Sequence, residues 1–154
     1  MGNNVGANGR SVVHQDSGGT TVAFPDVCKT PSPAGPVPIP YPNVAKSSDL
    51  AQPAKSVEVE GNPIGVKDSA FSTSTGDEAG TAGGGIFSGK TKGKAEFVTW
   101  SFDVKVEGKG VARALDLMTH NDKNTPPVPL VQPPVVGMGN RPEDAVCLCC
   151  KKKL

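Results

Sequence analysis

The chain has few of the residues that build a large apolar core. Its 154 residues include one tryptophan, one tyrosine and five phenylalanines, and hydrophobic residues make up 36% of the sequence. A chain of this length has room for one domain with tails rather than for two ordinary domains. Because 19 glycines and 15 prolines interrupt regular structure, the composition favours a small core of strands and turns over a helix bundle.

Neither sign of charge dominates, and no long apolar run is present. Lysine and arginine number 16 against 15 acidic residues, for a net charge of +1. Without a broad basic stripe we expect no nucleic-acid partner. No stretch reaches the roughly 18 apolar residues of a membrane span, so we expect no stable membrane anchor. The amino end lacks the basic and apolar regions of a secretory signal, which predicts that the chain folds in the cytoplasm.

The sequence also lacks a recognisable catalytic set. Cys28 and Cys147 do not have the local surroundings of known cysteine nucleophiles. The acidic pairs at residues 77–78 and 143–144 lie in glycine-rich or proline-rich stretches, which are typical of solvated turns. We therefore predict that the protein is not an enzyme, with a small hydrolase toxin as an alternative.

A proline occupies every second position from residue 36 to residue 42. These prolines remove alternate backbone donors and fix φ near the polyproline II value, so we expect neither a helix nor a central strand there. The alternating Val37, Ile39 and Tyr41 would let a stiff extended segment lie on a core as a wall. A flexible linker, or a ligand for an aromatic-lined groove, is the alternative.

Shorter patterns predict several further elements. Apolar residues on both sides of a polar turn at residues 16–19 predict a hairpin within residues 8–28, and alternation over residues 56–61 predicts a strand that closes at a turn over residues 61–63. The glycines at residues 83–85 lack the spacing of a phosphate-binding loop, so we expect a loop that needs unusual backbone angles or close packing. No internal repeat of useful length is evident.

The strongest alternation of apolar and polar residues lies between residues 95 and 107. It predicts a half-buried antiparallel strand, a turn at residues 107–110 and a return strand over residues 111–118. Trp100 is expected to be the largest group in the core. The residues assigned to the buried face are Val98, Trp100, Phe102, Val104 and Val106.

Histidine and cysteine supply the candidate metal ligands. His14, Cys28 and His120, together with the three cysteines of residues 147–150, are of the types that bind structural zinc. The spacing selects no set, so the alternatives stay open: Cys28 as a small buried hydrophobe, His14 on a surface strand and His120 satisfied by a turn. The carboxyl-terminal cysteines could be free thiols, a metal clip, a palmitoylation site or, after export, disulfides.

Several motifs, taken in order along the chain, resemble the PAAR-like domain family of type VI secretion. The similarity covers roughly residues 5–130 and lies in the proline-rich stretch, in strand-like segments and in a Thr-His-Asn motif. The matching segments are residues 24–31, 35–43, 74–80, 100–108 and 113–121.

The resemblance implies a mostly β fold: a small cone-shaped, strand-and-turn-rich single domain with proline-rich extended segments. Its base would dock on the blunt end of the trimeric VgrG spike protein, one copy per trimer, with its apex leading. Related tips hold zinc near the apex, and His14, Cys28 and His120 fall where the family carries metal-type ligands. The fourth ligand is left open among Cys147, Cys149, Cys150, Asp122 and water.

We therefore predict a PAAR-like spike-tip domain over residues 1–130 and a Pro-rich and Cys/Lys-rich tail over residues 131–154. The predicted function is mechanical: the domain would cap the spike, sharpen it for membrane puncture and link an effector or toxin to it. It would be cytoplasmic before firing, and secreted or delivered into the target cell afterwards. The alternative is an adaptor or chaperone-like module that binds a secreted toxin through its proline-rich face.

Overall fold

A computed structural model describes residues 5–133 as an almost entirely β domain, which confirms the predicted fold class. One short 3-10 turn covers Ser47–Asp49. No helix within the described part of the chain is long and apolar enough to span a bilayer. The strands are β1 Gly6–Ala7, β2 Arg10–Ser11, β3 Thr20–Thr30, β4 Val37–Lys46, β5 Leu50–Ala51, β6 Glu58–Val59, β7 Asn62–Pro63, β8 Ala70–Phe71, β9 Gly84–Gly85, β10 Ala95–Phe97, β11 Lys105–Val106, β12 Lys109–Gly110, β13 Leu117–Thr119 and β14 Val128–Pro129.

Three short hairpins of the same design occur along the chain. Strands β1 and β2, β6 and β7, and β11 and β12 pair as isolated two-stranded ribbons. Each turn places a non-glycine residue and then a glycine at positive φ, which is the arrangement of a type I′ hairpin turn. The turn pairs are Asn8 and Gly9 (54° and 76°), Glu60 and Gly61 (53° and 79°), and Glu107 and Gly108 (53° and 77°).

The three hairpins belong to a threefold internal repeat, so the expectation of no repeat was wrong. The segments at residues 5–17, 57–69 and 104–116 each begin with valine, have glycine at the fifth position and valine or isoleucine at the eighth. Their ninth residues close a ring of backbone hydrogen bonds. Gly65 N donates to Val13 O (2.7 Å), Ala112 N to Gly65 O (3.0 Å) and Val13 N to Ala112 O (3.0 Å).

The rest of each segment follows the same threefold pattern. The tenth residue of one segment bridges the eighth residue of the next, and its N–H bonds to a side-chain oxygen three positions later. The bridges are His14 with Ile64, Val66 with Val111 and Arg113 with Val12; the capping bonds are His14 N to Ser17 Oγ (3.2 Å), Val66 N to Ser69 Oγ (2.9 Å) and Arg113 N to Asp116 Oδ2 (2.7 Å). We call residues 5–17, 57–69 and 104–116 the hairpin ring.

An outgoing strand leaves each ring segment and a returning strand comes back. The pairs are β3 with β4, β8 with β10, and β13 with β14. The connections at residues 31–36, 72–94 and 120–127 lie at the far end of these strands, and we call this end the distal end. It is farthest along the strands from the hairpin ring.

Two apolar clusters fill the domain. One lies within the hairpin ring, and the other lies beneath the outgoing and returning strands. Phe71 and Phe97 pack edge to face in the second cluster, with ring centroids 5.7 Å apart. The ring cluster contains Ala7, Val12, Ala54, Val59, Ile64, Val66 and Val111; the strand cluster contains Val13, Ala45, Phe71, Ala95, Phe97, Ala112, Met118 and Leu130.

The proline-rich segment is an edge strand. Strand β4 pairs with β3, which in turn pairs with β9, in the order β4-β3-β9. Pro38 and Pro40 lie opposite Lys29 and Val27, and those two residues direct their carbonyl oxygens to the other neighbour, where Ala82 N and Ile86 N bind them at 3.0 Å. The missing N–H groups therefore fall on the open side of the strand, which is where a sheet tolerates proline.

The predicted strand over residues 95–107 was wrong beyond its start. Only Ala95–Phe97 and Lys105–Val106 are strands. Of the face assigned to the core, Val98 and Val104 are exposed and Phe102 is 84% exposed, while Trp100 is only half-buried. The reason is that the chain leaves the sheet after Phe97 and enters the third hairpin. Side chains after Phe97 therefore no longer alternate between the core and the solvent as they would in one continuous strand.

Four shorter predictions also change, in whole or in part. The turn at residues 16–19 does not join a hairpin, because residues 12–17 belong to the hairpin ring and β3 pairs with β4 instead. The return strand over residues 111–118 is reduced to Leu117–Thr119 for the same reason. The turn after Val59 falls at Glu60 and Gly61 rather than at residues 61–63. The glycine run does have unusual backbone angles, but Gly84–Gly85 forms strand β9.

Candidate metal centre and docking ring

Three potential metal ligands meet at the distal end. Asp26 and Cys28 are two residues apart on β3, so the strand period directs both side chains to one face. Asp77 approaches from the connection between β8 and β10. Cys28 Sγ lies 3.5 Å from Asp26 Oδ1 and 3.8 Å from Asp77 Oδ2, and the ligand atoms of the three residues lie within 4.8 Å of one another. All three residues are fully buried.

Glycine permits this close approach. A Cβ on Gly80 would lie 2.4 Å from Cys28 Cβ, which no pair of carbon atoms tolerates without movement. The connection that carries Asp77 can therefore pack against β3 only where a side chain is missing.

Neutral amide groups surround the two carboxylates. Asn43 Nδ2 donates to Asp26 Oδ2 at 2.6 Å, and Asn124 Nδ2 donates to Asp26 Oδ1. The backbone N–H of Lys92 donates to both oxygens of Asp77, at 3.0 and 3.1 Å. Within residues 5–133, neither aspartate forms an ion pair with a lysine, arginine or histidine. Two buried carboxylates without a cation call for a proton or a metal ion.

The raised pKa values of Cys28 and Asp77 also indicate that a positive charge would stabilise this cluster. Burial, with the neighbouring charges of Asp26 and Asp77, raises the pKa of the Cys28 thiol to about 12. Burial raises the pKa of Asp77 to about 6, although the hydrogen bond from Lys92 opposes the shift. A divalent cation would reverse both effects, because it favours the thiolate and the carboxylate. This donor set of sulfur and carboxylate oxygen is one that zinc accepts. We call Asp26, Cys28 and Asp77 the distal centre.

The predicted histidine ligands lie elsewhere. His14 is in the hairpin ring, where its Nδ1 accepts a hydrogen bond from Asp16 N at 3.2 Å. His120 Nε2 lies 3.1 Å from Thr21 Oγ1. Among the described residues, the group of close ligand atoms includes Cys28 and neither histidine. The set of His14, Cys28 and His120 therefore stays a prediction, and its three ligand atoms do not meet in this structure.

Both histidines are buried with one ring nitrogen that has no hydrogen-bond partner within the described part of the chain, Nε2 of His14 and Nδ1 of His120. Burial lowers the pKa of His14, and it lowers the pKa of His120 to about 4. Both rings are therefore neutral at physiological pH. Of the proposed fourth ligands, Asp122 forms an ion pair with Lys90 at 3.3 Å, and the cysteines of residues 147–150 lie outside the described residues.

Sequence reasoning missed both aspartates of the distal centre. Asp26 had a usable signal, since Asp-x-Cys on a strand places two ligand types on one face. Asp77 had none, and its assignment to a solvated turn was wrong because the residue is fully buried. A glycine-rich neighbourhood looks the same in sequence whether it is solvated or packed against another strand.

The hairpin ring carries a second feature of interest. The first residue of each ring segment is a partly exposed valine: Val5 is 42% exposed, Val57 37% and Val104 38%. Because the three segments are related by the closed ring of hydrogen bonds, these valines occupy equivalent positions around one axis. The ring therefore presents the same apolar contact three times.

The described residues thus form a small β domain in which three equivalent hairpins close a ring and a buried Asp-Cys-Asp cluster occupies the distal end. The chain belongs to the toxin PAAR-like domain family, whose model matches residues 19–127. The resemblance seen in the sequence is confirmed.

A curated relative adds a second comparison. The chain is 40% identical over 153 residues to the DNase toxin Tse7 of Pseudomonas aeruginosa. The match covers 92% of this chain and 40% of the relative, so the chain spans well under half of the relative's length. No solved structure matches the chain. The relative is a named nuclease toxin, which counts against the prediction that this protein is not an enzyme.

Proposed function

We propose that this domain is the tip of a type VI secretion spike and that it caps the trimeric VgrG spike protein. The observation that carries the proposal is the closed hydrogen-bonded ring through Val13, Gly65 and Ala112. A single chain with three equivalent segments can match a threefold partner, so that each subunit of the trimer meets the same surface. This arrangement supports one copy per trimer.

The three exposed valines support the same role. Val5, Val57 and Val104 offer an apolar contact to each subunit, at positions set by the ring. The domain would also cover the open strand edges at the end of a β-helical spike, which otherwise invite aggregation. Delivery into the target cell by the secretion apparatus follows from this role.

The test is co-purification with the spike trimer encoded nearest to this protein, with stoichiometry measured by light scattering. We expect one wild-type chain per trimer and no binding by the triple variant Val5→Asp, Val57→Asp and Val104→Asp, because three charges would be buried in the contact. The matched control is Val22→Asp with Val98→Asp, which places charges on exposed valines outside the hairpin ring. It should bind like the wild type.

Circular dichroism must show that both variants are folded. Binding by the folded triple variant at wild-type strength would overturn the docking surface. A folded wild-type protein that does not bind the trimer would favour the alternative, an adaptor that binds a secreted toxin through its proline-rich face.

We further propose that the distal centre holds a structural zinc ion through Cys28, Asp26 and Asp77. Two buried carboxylates beside a buried thiol, which receive amide hydrogen bonds but no ion pair from a cationic side chain of residues 5–133, support the assignment. A metal would tie β3 to the connection that carries Asp77, where apolar packing is thin. His14 and His120 are not part of this proposed site.

Metal analysis tests the zinc proposal. We expect about one zinc per wild-type chain, loss of the metal in Cys28→Ser and Asp77→Asn, and a lower melting temperature on chelation, because metal bound to the native state stabilises it. Asp103→Asn is the control, since that exposed carboxylate lies outside the centre. Metal-free protein whose melting temperature does not respond to chelators would show that a proton balances the carboxylates instead.

Because the relative is named a DNase toxin, DNA cleavage is a second candidate function. We propose that residues 5–133 serve delivery rather than cleavage, because the acidic residues of the distal centre are fully buried and cannot reach a phosphodiester. Incubating the full chain with plasmid DNA and Mg²⁺, Mn²⁺ or Zn²⁺ tests this. Intact plasmid is expected. Cleavage that is lost in Asp77→Asn would establish a DNase and overturn the purely mechanical role.

A further inference from the structure

A hollow on the side of the domain is built around the one tryptophan of the chain. Its volume is about 170 Å³, and Trp100, Phe102, Lys67, Lys105, Lys109 and Gly110 line it. We call these six residues the Trp100 hollow. A second hollow continues from it and shares Lys67 and Trp100.

The hollow has two aromatic rings: the indole of Trp100 is held in place by its neighbours, and the ring of Phe102 is exposed. A Cβ on Gly110 would lie 2.3 Å from Trp100 Cδ1, so the indole rests directly on the backbone of β12. Lys67 Nζ lies 5.1 Å from the centroid of the indole, in the position of a cation-π contact. Phe102 is 84% exposed beside it. A large side chain left in water at such an exposure is a candidate contact for a partner.

The charged side chains that line the hollow are all positive. The hollow is lined by three lysines and no carboxylate. Within residues 5–133, Lys67 and Lys105 form no ion pair, whereas Lys109 Nζ lies 3.0 Å from Asp68 Oδ2. Two cationic side chains therefore remain available to an anion.

The hollow is not repeated around the hairpin ring. In the sequences of the other two segments, Trp100 corresponds to Pro53 and Met1, Phe102 to Lys55 and Asn3, and Lys105 to Glu58 and Gly6. A threefold-symmetric partner would contact features that occur three times, such as the exposed valines. A feature that occurs once suits a different, single partner.

We propose that the Trp100 hollow binds an acidic peptide segment of a second protein, with an aromatic or proline residue of that segment packed against Trp100 and Phe102. The lysines would pair with its carboxylates, and the exposed ring of Phe102 beside the half-buried Trp100 would bury its apolar residue. Asp103 and Glu107, which lie two residues before and after Lys105 in the chain, are exposed carboxylates, and Asp68 Oδ2 lies 3.0 Å from Lys109 Nζ. They disfavour the continuous phosphate backbone of a nucleic acid, which needs an uninterrupted basic track.

Selection from a random 12-residue peptide library displayed on phage, with the full chain as bait, tests the proposal. We expect enrichment of peptides that combine Asp or Glu with an aromatic residue or proline. Synthetic versions of the selected peptides should shift the fluorescence of Trp100, the single tryptophan of the chain, in a saturable way. The double variant Lys67→Gln and Lys105→Gln should weaken binding at least tenfold, as should Phe102→Ser. Lys29→Gln with Lys46→Gln, two lysines outside the hollow, is the matched control and should bind like the wild type.

Each remaining result overturns the proposal: no enriched peptides, enriched peptides without acidic residues, equal binding by the hollow variants and the control, or a 12-nucleotide oligothymidylate that quenches Trp100 where the acidic peptides do not. The assay uses the isolated full chain, so its outcome is independent of whether the domain binds a spike trimer.

Discussion

At the scale of single residues, Phe71 rather than Trp100 is a large group at the centre of the core. Phe71 is fully buried against Phe97, whereas Trp100 lies half-buried at the surface. Phe71→Ala should therefore lower the free energy of unfolding by about 3–5 kcal/mol. Trp100→Ala removes mainly surface packing and should cost about 1 kcal/mol. Urea unfolding of the two variants measures the difference.

Equal losses in the two variants would contradict this assignment of the core. A loss of several kcal/mol in Trp100→Ala alone would restore the earlier expectation that Trp100 is the largest core group. Unchanged m-values would show that the comparison reports stability rather than a change in the unfolded chain.

His120 gives the domain a dependence on pH. Its folded-state pKa, lowered to about 4 by burial, lies below the unfolded value of 6.5. The stabilising contribution of the neutral ring is therefore complete above pH 6.5 and is lost as pH falls toward 4. In chelator-treated protein we expect the melting temperature of the wild type to fall faster with acid than that of His120→Gln.

Comparison of the two melting curves between pH 8 and 4.5 isolates the His120 contribution. Asp77 acts in the opposite direction, since its raised pKa favours the protonated form in the fold, but it is present in both proteins and cancels in the difference. Parallel curves would show that the pKa of His120 does not differ between the folded and unfolded states.

At the scale of elements, the proline-rich strand protects an edge. Pro38 and Pro40 leave the open side of β4 without N–H donors, so another strand cannot pair there in register. Replacing both by threonine restores two outward donors on an extended strand. We expect the variant to self-associate at concentrations where the wild type is monomeric, as measured by light scattering.

The matched control for this edge is Pro31→Thr with Pro33→Thr. Both prolines lie in the connection between β3 and β4, so their replacement adds no donor to the open edge. A monomeric Pro38→Thr, Pro40→Thr variant would show that another feature blocks the edge.

At the scale of the whole molecule, residues after the family match complete the hairpin ring. Ala54 N and Ser101 N bind the carbonyl oxygens of Ile64 and Val111, and Gln132 Nε2 binds the equivalent oxygen of Val12 at 2.9 Å. Leu130 and Gln132 are fully buried. The packed chain therefore extends two residues beyond the boundary predicted at residue 130, and that boundary stays a prediction.

Truncation tests the role of this last segment. A chain that ends at residue 133 should keep the cooperative thermal transition of the full chain. A chain that ends at residue 127 loses β14, Leu130 and Gln132, and should lose the transition because a ring carbonyl and part of the strand cluster are exposed. Indistinguishable melting of the two truncations would show that the ring closes without Gln132.

Composition, motif order and the proline period were enough to predict part of the fold. The strand-and-turn class followed from composition, the family from ordered motifs, and the extended chain at residues 36–42 from the proline period. The expectation that this segment lies on a core as a wall was wrong, because the side chains of Val37 and Ile39 are exposed. Cys28 was a candidate ligand by residue type alone. The repeat has only a weak sequence signal, because its segments share few identities and glycine and valine are common throughout this chain.

By itself, the sequence determined which local conformations were available: positive φ at Asn-Gly and Glu-Gly turns, no donor at alternate prolines, and Asp26 and Cys28 on one face of any strand that contains them. Only the tertiary structure decided which side of residues 95–107 met the core, that Asp77 was buried against Cys28, and that three hairpins joined in one ring. The physical reason is that these outcomes depend on hydrogen bonds and packing between segments far apart in the chain, which local pattern does not encode.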